Sequence, residues 1–129
     1  MKILAVMGSP REGDSYELTR RIERQLGELG DYEVEYLWLK DLDLGFCIGC
    51  YACLTYGEER CPAEGDIAAI EEKLLAADGV IFASPVYAMS VTALMKNLMD
   101  RMAYSMHRPR FFDQHTVLVA TAGAAGIKE

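Results

Sequence analysis

The sequence lacks a long apolar run, an excess of positive charge, low-complexity stretches and internal repeats. A net charge of −7 argues against nucleic-acid binding, because phosphates attract a basic surface. No stretch approaches the roughly 20 apolar residues that span a bilayer. The apolar start, residues 1–7, stops at Gly8 and is too short for a secretion-signal core. We therefore expect a cytoplasmic protein that contacts neither membrane nor nucleic acid.

The composition is that of one globular domain. The chain has 129 residues, of which 51% are apolar and 26% charged, enough for a sizeable hydrophobic core. We expect residues 1–129 to form a single domain.

Apolar periodicity predicts alternating strands and helices. Strands are expected at 2–7, 33–38, 79–85 and 116–121, the second at a sheet edge and the last two buried. Helices are expected from Ser15 to Gly30 with Asp14 or Ser15 as cap, after Asp66 as cap, and at 91–105. A loop at 45–65 separates the second strand from the second helix. This order predicts an α/β fold, a doubly wound parallel sheet with helices on both faces.

Three predicted strands end in loops of small or turn-forming residues, at 8–15, 84–87 and 121–123. Ligands of such sheets bind at the carboxyl ends of the strands. The first loop has hydroxyls at Ser9 and Ser15 and a cation at Arg11, and it precedes a helix N-terminus that favours an anion. Motifs for nucleotide triphosphates and dinucleotides are absent, so a monophosphate is the better ligand. Alternatively, Gly-Ser-Pro is only a turn and Ser15 only a cap.

Together these loops resemble the flavodoxin-like NADPH-dependent FMN reductases. The likeness rests on Gly8-Ser9-Pro10-Arg11, on Ser84-Pro85-Val86-Tyr87, and on a helix with Lys96 and Asp100-Arg101. It implies that the FMN phosphate contacts Ser9, Arg11 and Ser15. It also implies that the flavin ring lies between two groups of residues, which are Pro85, Val86 and Tyr87 on one side and Thr121, Ala122 and Gly123 on the other.

Two departures from that family pattern stand out. The family has Asn where this chain has Asp14, a carboxylate that is unfavourable beside a phosphate, so we expect it to turn away or cap the helix. Flavodoxin-like domains have five strands, whereas only four are expected here, as if the last helix-strand-helix were missing. Either the product is truncated or another chain completes the domain. An open strand edge favours association, so we expect a homodimer or homotetramer.

Four cysteines, Cys47, Cys50, Cys53 and Cys61, lie within fifteen positions. Compact Cys-x-x-Cys spacing suits a [4Fe–4S] cluster and resembles the iron–sulfur flavoprotein branch of the same superfamily. The alternatives are structural zinc, a redox-active dithiol, or thiols that hold no metal.

The expected function is that of an FMN oxidoreductase or electron-transfer flavoprotein with NAD(P)H or a ferredoxin as electron donor. No nucleophile–base pair stands out as catalytic, and flavin chemistry does not require one. The alternatives are a cluster-free FMN or quinone reductase and a zinc-stabilised, non-enzymatic binding domain.

Overall fold

The computed structural model describes residues 1–123 as four strands and four α-helices, which follow the predicted order except for one additional short helix in the segment predicted as a loop. The strands are β1 (Lys2–Met7), β2 (Glu33–Trp38), β3 (Gly79–Pro85) and β4 (His115–Thr121). The helices are α1 (Asp14–Leu29), α2 (Ala52–Thr55), α3 (Ile67–Ala76) and α4 (Ala93–Arg101). None of these helices is long and apolar enough to cross a membrane.

The four strands form one parallel sheet in the order β2-β1-β3-β4. In this register Ile3 lies between Val34 of β2 and Gly79 of β3, and Gly79 in turn pairs with His115. The flavodoxin-like α/β class is thereby confirmed for the described residues, and so is the edge position of β2.

Side chains that alternate along β1 fill two cores, one on each face of the sheet. Leu4 and Val6 pack with the buried side chains of α3 and α4, among them Ile70 and Leu98. Ile3, Ala5 and Met7 pack on the opposite face, against Tyr16, Ile22 and Leu26 of α1. Helices therefore cover both faces, which explains why β1 and β3 read as continuous apolar runs.

The start of α1 differs from the expected capping. Its N-cap is Gly13, and no side chain caps the helix, so the expectation that Asp14 or Ser15 does so is wrong. The buried Ser15 hydroxyl instead pairs with the Thr121 hydroxyl, 2.8 Å away on β4. Gly30 ends the helix as predicted, and its N–H donates to the carbonyl of Leu26.

The segment predicted as a loop at 45–65 contains α2 and a 3₁₀ turn at Glu58–Arg60. Asp66 occupies the N-cap position of α3 but makes no capping bond; its carboxylate accepts the N–H of Asp43 at 2.8 Å.

The helix expected at 91–105 is shorter in the structure, where α4 covers Ala93–Arg101. Thr92 caps α4 by accepting the Met95 N–H, and a separate 3₁₀ turn follows at Ala103–Met106.

The prediction that β4 is buried is wrong for most of its length. Only Val119 of this strand is buried, whereas Val117 and Leu118 are 47% and 77% exposed. The cause is position: β4 pairs with β3 on one side, and within residues 1–123 no strand pairs with its other side. Apolar composition alone does not distinguish a covered strand from an edge strand.

Candidate functional site

The loop after β1 is held in place by its own backbone and by α4. Gly8 donates its N–H to the Ala83 carbonyl of β3 at 2.8 Å, and its own carbonyl accepts the Thr92 hydroxyl at 2.6 Å. A Cβ added at Gly8 would lie 3.0 Å from Met95, so a larger residue would force the Met95 side chain to shift. The buried Ser9 hydroxyl accepts the Arg11 N–H and donates to the Arg11 carbonyl, which fixes the bend that follows.

The N-terminus of α1 is suited to an anion. Because Gly13 has no side chain to cap the helix, the first-turn N–H groups have no side-chain partner. The exposed Arg11 packs beside Gly13, with its Nε 3.8 Å from a Cβ built there. Uncapped N–H groups and a guanidinium form a favourable environment for a phosphate. Asp14 is exposed and lines both this site and the neighbouring groove beside Glu17 and Arg21.

The ends of β1, β3 and β4 meet at one opening, which we call the strand-end cleft. The Val86 N–H donates to the Thr121 carbonyl at 2.8 Å, and the Ser15–Thr121 bond joins the first loop to the third. The cleft has a volume of about 190 Å³. It is lined by Gly13, Asp14 and all nine residues predicted to contact the cofactor, namely Ser9, Arg11, Ser15, Pro85, Val86, Tyr87, Thr121, Ala122 and Gly123.

A tight turn at 87–90 forms the rim of the cleft. Tyr87 and Ser90 exchange two backbone hydrogen bonds, of 2.9 and 3.1 Å. The residues between them, Ala88 and Met89, have φ of 48° and 67°, a left-handed conformation that is unfavourable for side chains with a Cβ. Turns of this shape favour Asn and Gly, so Ala88-Met89 gave no sequence signal for it. Such strain is typical of functional sites.

A larger apolar cavity of about 460 Å³ adjoins the strand-end cleft and shares Pro85 and Val86 with it. It lies between α4 and β4, where Met95, Met99 and Leu118 contribute to its lining. No sequence pattern indicated this cavity, because it depends on β4 being uncovered within residues 1–123.

The four cysteines are unpaired and lie in the segment 45–65, which we call the cysteine segment. Cys47 and Cys50 are exposed, whereas Cys53 and Cys61 are half-buried and line a cavity of about 150 Å³ next to Arg101. Burial raises the pKa of the Cys53 thiol, and the nearby Cys61, Cys47 and Cys50 raise it further. Within residues 1–123, however, no three His, Cys, Asp or Glu side chains are close enough to share a metal ion.

Cations hold the cysteine segment against the rest of the fold. Arg108 donates to the Cys53 carbonyl at 2.5 Å and pairs with Glu58 at 2.8 Å. Arg110 pairs with both Glu58 and Glu71, each at 2.9 Å. The contacts were missed because Arg108 and Cys53 are 55 positions apart.

Comparison with known families decides the classification. Residues 1–129 match the NADPH-dependent FMN reductase family. The chain belongs to this family.

Related FMN reductase-family sequences include several named as iron–sulfur flavoproteins. One from Methanocaldococcus jannaschii is 42% identical over 102 residues, which are 78% of this chain and 51% of that protein. Another from Methanosarcina thermophila is 33% identical over 101 residues, 78% of this chain and 52% of that protein. The chain thus spans about half the length of the curated relatives it matches.

Solved structures agree with the fold of the FMN reductase family. The NAD(P)H:quinone oxidoreductase from Methanothermobacter marburgensis superposes with a TM-score of 0.75. The two are 19% identical, and the match covers 95% of this chain and 67% of that one. At this identity the likeness concerns the fold alone.

Proposed function

We propose that this chain forms the FMN-binding part of an FMN-dependent oxidoreductase and that its cysteine segment holds a [4Fe–4S] cluster. The proposal that the chain binds FMN is supported by one observation, which is that all nine predicted residues line the strand-end cleft. The family to which the chain belongs supports the same cofactor.

The cleft residues fit the two ends of FMN. Arg11 and the uncapped first turn of α1 would bind the phosphate, with Ser9 and Ser15 beside it. Pro85, Val86 and the strained turn after Tyr87 would form one wall of the flavin site. Thr121, Ala122 and Gly123 would form the other wall.

The cysteine segment fits a cluster in the chemistry of its ligands, since four unpaired thiols lie in one short segment and the matched relatives are named iron–sulfur flavoproteins. Cys47, Cys50, Cys53 and Cys61 would be the ligands. When bound, FMN would supply hydride transfer and the cluster would supply single-electron transfer. The chain's own residues would bind and orient both groups.

The wider setting is also part of the proposal. We infer NAD(P)H or a ferredoxin-type protein as electron donor, and a homodimer or homotetramer as the assembled form. The exposed apolar side chains of β4 support association, because an uncovered edge strand favours pairing with another chain. A cytoplasmic location would keep the four thiols reduced.

The test is purification without oxygen, followed by a visible spectrum and by assays of flavin, iron and acid-labile sulfide on one sample. We expect flavin bands on a broad brown absorption and about four irons per chain. Flavin without iron would leave a cluster-free FMN or quinone reductase. Zinc without flavin would favour a binding domain. A protein that stays colourless after FMN is added would contradict the proposal.

A further inference from the structure

Helix α4 is attached to the strand-end cleft at one end and to the cysteine segment at the other. At its N-terminus, Thr92 donates to the Gly8 carbonyl at 2.6 Å and accepts the cap bond from Met95. One turn further on, the Asn97 side chain donates to the Gly45 carbonyl at 2.7 Å. The same short helix therefore contacts both candidate sites.

The last residue of α4, Arg101, is a buried cation with 4% of its surface exposed. Its Nη1 donates to the Leu44 carbonyl and, at 3.1 Å, to the Glu64 carbonyl. Its Nη2 donates to the Ala63 carbonyl at 2.7 Å. Leu44 precedes the first cysteine, whereas Ala63 and Glu64 follow the last. One guanidinium therefore holds both ends of the cysteine segment.

The backbone at these two ends is shaped to admit the guanidinium. Gly45 has a φ of 55°, and a Cβ there would lie 2.9 Å from the Glu64 carbonyl oxygen and 3.1 Å from Nη1 of Arg101. A second contact joins the ends, since the Asp66 N–H donates to the Asp43 carbonyl at 2.7 Å. The narrow gap and the left-handed glycine explain why a larger residue would displace the Arg101 side chain.

One nitrogen of Arg101 has no partner. Its Nε–H is buried and has no hydrogen-bond partner among residues 1–123. A buried charged group without a partner is costly, so an orphaned donor here needs an explanation. Arg101 lines the 150 Å³ cavity together with Cys53 and Cys61, and N–H groups are common donors to the sulfurs of iron–sulfur clusters.

We propose that Arg101 is a positioning residue for the cysteine segment. It fixes both ends of the segment through three carbonyls, and the same side chain, with its positive charge and unpartnered Nε–H, lines the cavity that Cys53 and Cys61 also line. This inference rests on the proposed function only where it concerns the group that the thiols bind. The hold on the two ends exists whether or not a cluster is present.

The two parts of this role are separated by two substitutions. Arg101→Lys keeps the charge but lacks the planar fork whose two terminal nitrogens reach the three carbonyls, whereas Arg101→Gln loses both the charge and the fork. Arg24→Gln, an exposed position on α1, is the control for loss of one positive charge. In protein prepared without oxygen we measure iron and sulfide per chain, the rate of cluster loss in air, and the reduction potential.

We expect both Arg101 variants to lose the cluster faster than wild type by about ten- to a hundredfold, as when groups that orient a metal ligand are removed. Only Arg101→Gln should also lower the reduction potential, because a nearby positive charge stabilises the more negative reduced form. Flavin content should be unchanged in all variants. Wild-type cluster lifetime and potential in Arg101→Gln would overturn the proposal.

A second measurement applies to protein stripped of iron by a chelator, and it also covers the case in which wild type binds no iron. Hydrogen exchange at 44–64 and the reactivity of the four thiols should rise in Arg101→Gln and in Gly45→Ala, but not in Arg24→Gln. Unchanged exchange and reactivity would refute the positioning role. Absence of iron in wild type, with the exchange result as expected, would refute only the cluster.

Discussion

The strand-end cleft and the cysteine segment are built in different ways. The cleft is formed by the ends of three parallel strands, and backbone bonds such as Gly8 to Ala83 and Val86 to Thr121 fix its shape. The cysteine segment has only one turn of α-helix and one of 3₁₀, and long side chains from elsewhere hold it. We conclude that the cleft is preorganised by the fold, whereas the cysteine segment depends on a few cations and on what its thiols bind.

The largest expected effect is the loss of the cluster with no change in FMN binding, which would separate the cysteine segment from the cleft. Cys61→Ser removes one of the four proposed ligands and should abolish the proposed cluster, while FMN binding should stay at the wild-type level because no cleft residue changes. Iron, sulfide and flavin assays on one sample measure both, with the flavin-to-protein ratio as internal control. A full complement of iron in this variant would show that Cys61 is not a ligand.

The converse change is made in the cleft. Arg11→Gln removes the only positively charged side chain of the loop at 8–15. A charge-assisted hydrogen bond contributes about 1.5–3 kcal/mol. FMN affinity should therefore fall by about ten- to a hundredfold, measured by fluorescence titration of flavin-free protein. Iron content serves as the control. Unaltered affinity would place the phosphate elsewhere.

A pair of glycines tests whether packing preorganises the cleft. Gly8→Ala forces a Cβ to within 3.0 Å of Met95 and should lower the free energy of unfolding by about 1–3 kcal/mol. Gly27→Ala on α1 meets no atom within 4 Å and should raise that free energy by about 0.5–1 kcal/mol. Urea denaturation of both variants compares them. Equal effects would argue against tight packing beneath the loop.

The smallest expected effect is a substitution that strengthens FMN binding but destabilises the flavin-free protein. Asp14→Asn removes a carboxylate from the cleft, so FMN should bind tighter by about 0.3–1 kcal/mol, an effect that high salt weakens. The flavin-free protein should lose a similar amount of stability, because an acidic first-turn residue favours the helix dipole. Titration and thermal melting measure the two. Weaker FMN binding would contradict this prediction and show that the Asp14 carboxylate contributes to FMN binding.

Sequence reasoning predicted the cleft better than the cysteine segment, for a physical reason. The cleft residues directly follow strands, and parallel strands necessarily bring their carboxyl ends together. The bond from Arg101 to Leu44 spans 57 positions, and no local pattern predicts such a contact. The predicted cap of α1 was wrong for a similar reason, since the Ser15 hydroxyl pairs with Thr121, 106 positions away. Exposure of Leu118 depends on which strands flank β4, and the composition of β4 does not contain that information.

Helix α4 also acts as a spacer of fixed length. It has nine residues, and its two ends are bonded to different parts of the chain. Inserting one residue would rotate everything after it by roughly 100° and advance it by about 1.5 Å. Arg101 would then point away from the carbonyls it now binds. Chimaeras with related proteins should therefore keep the length of α4.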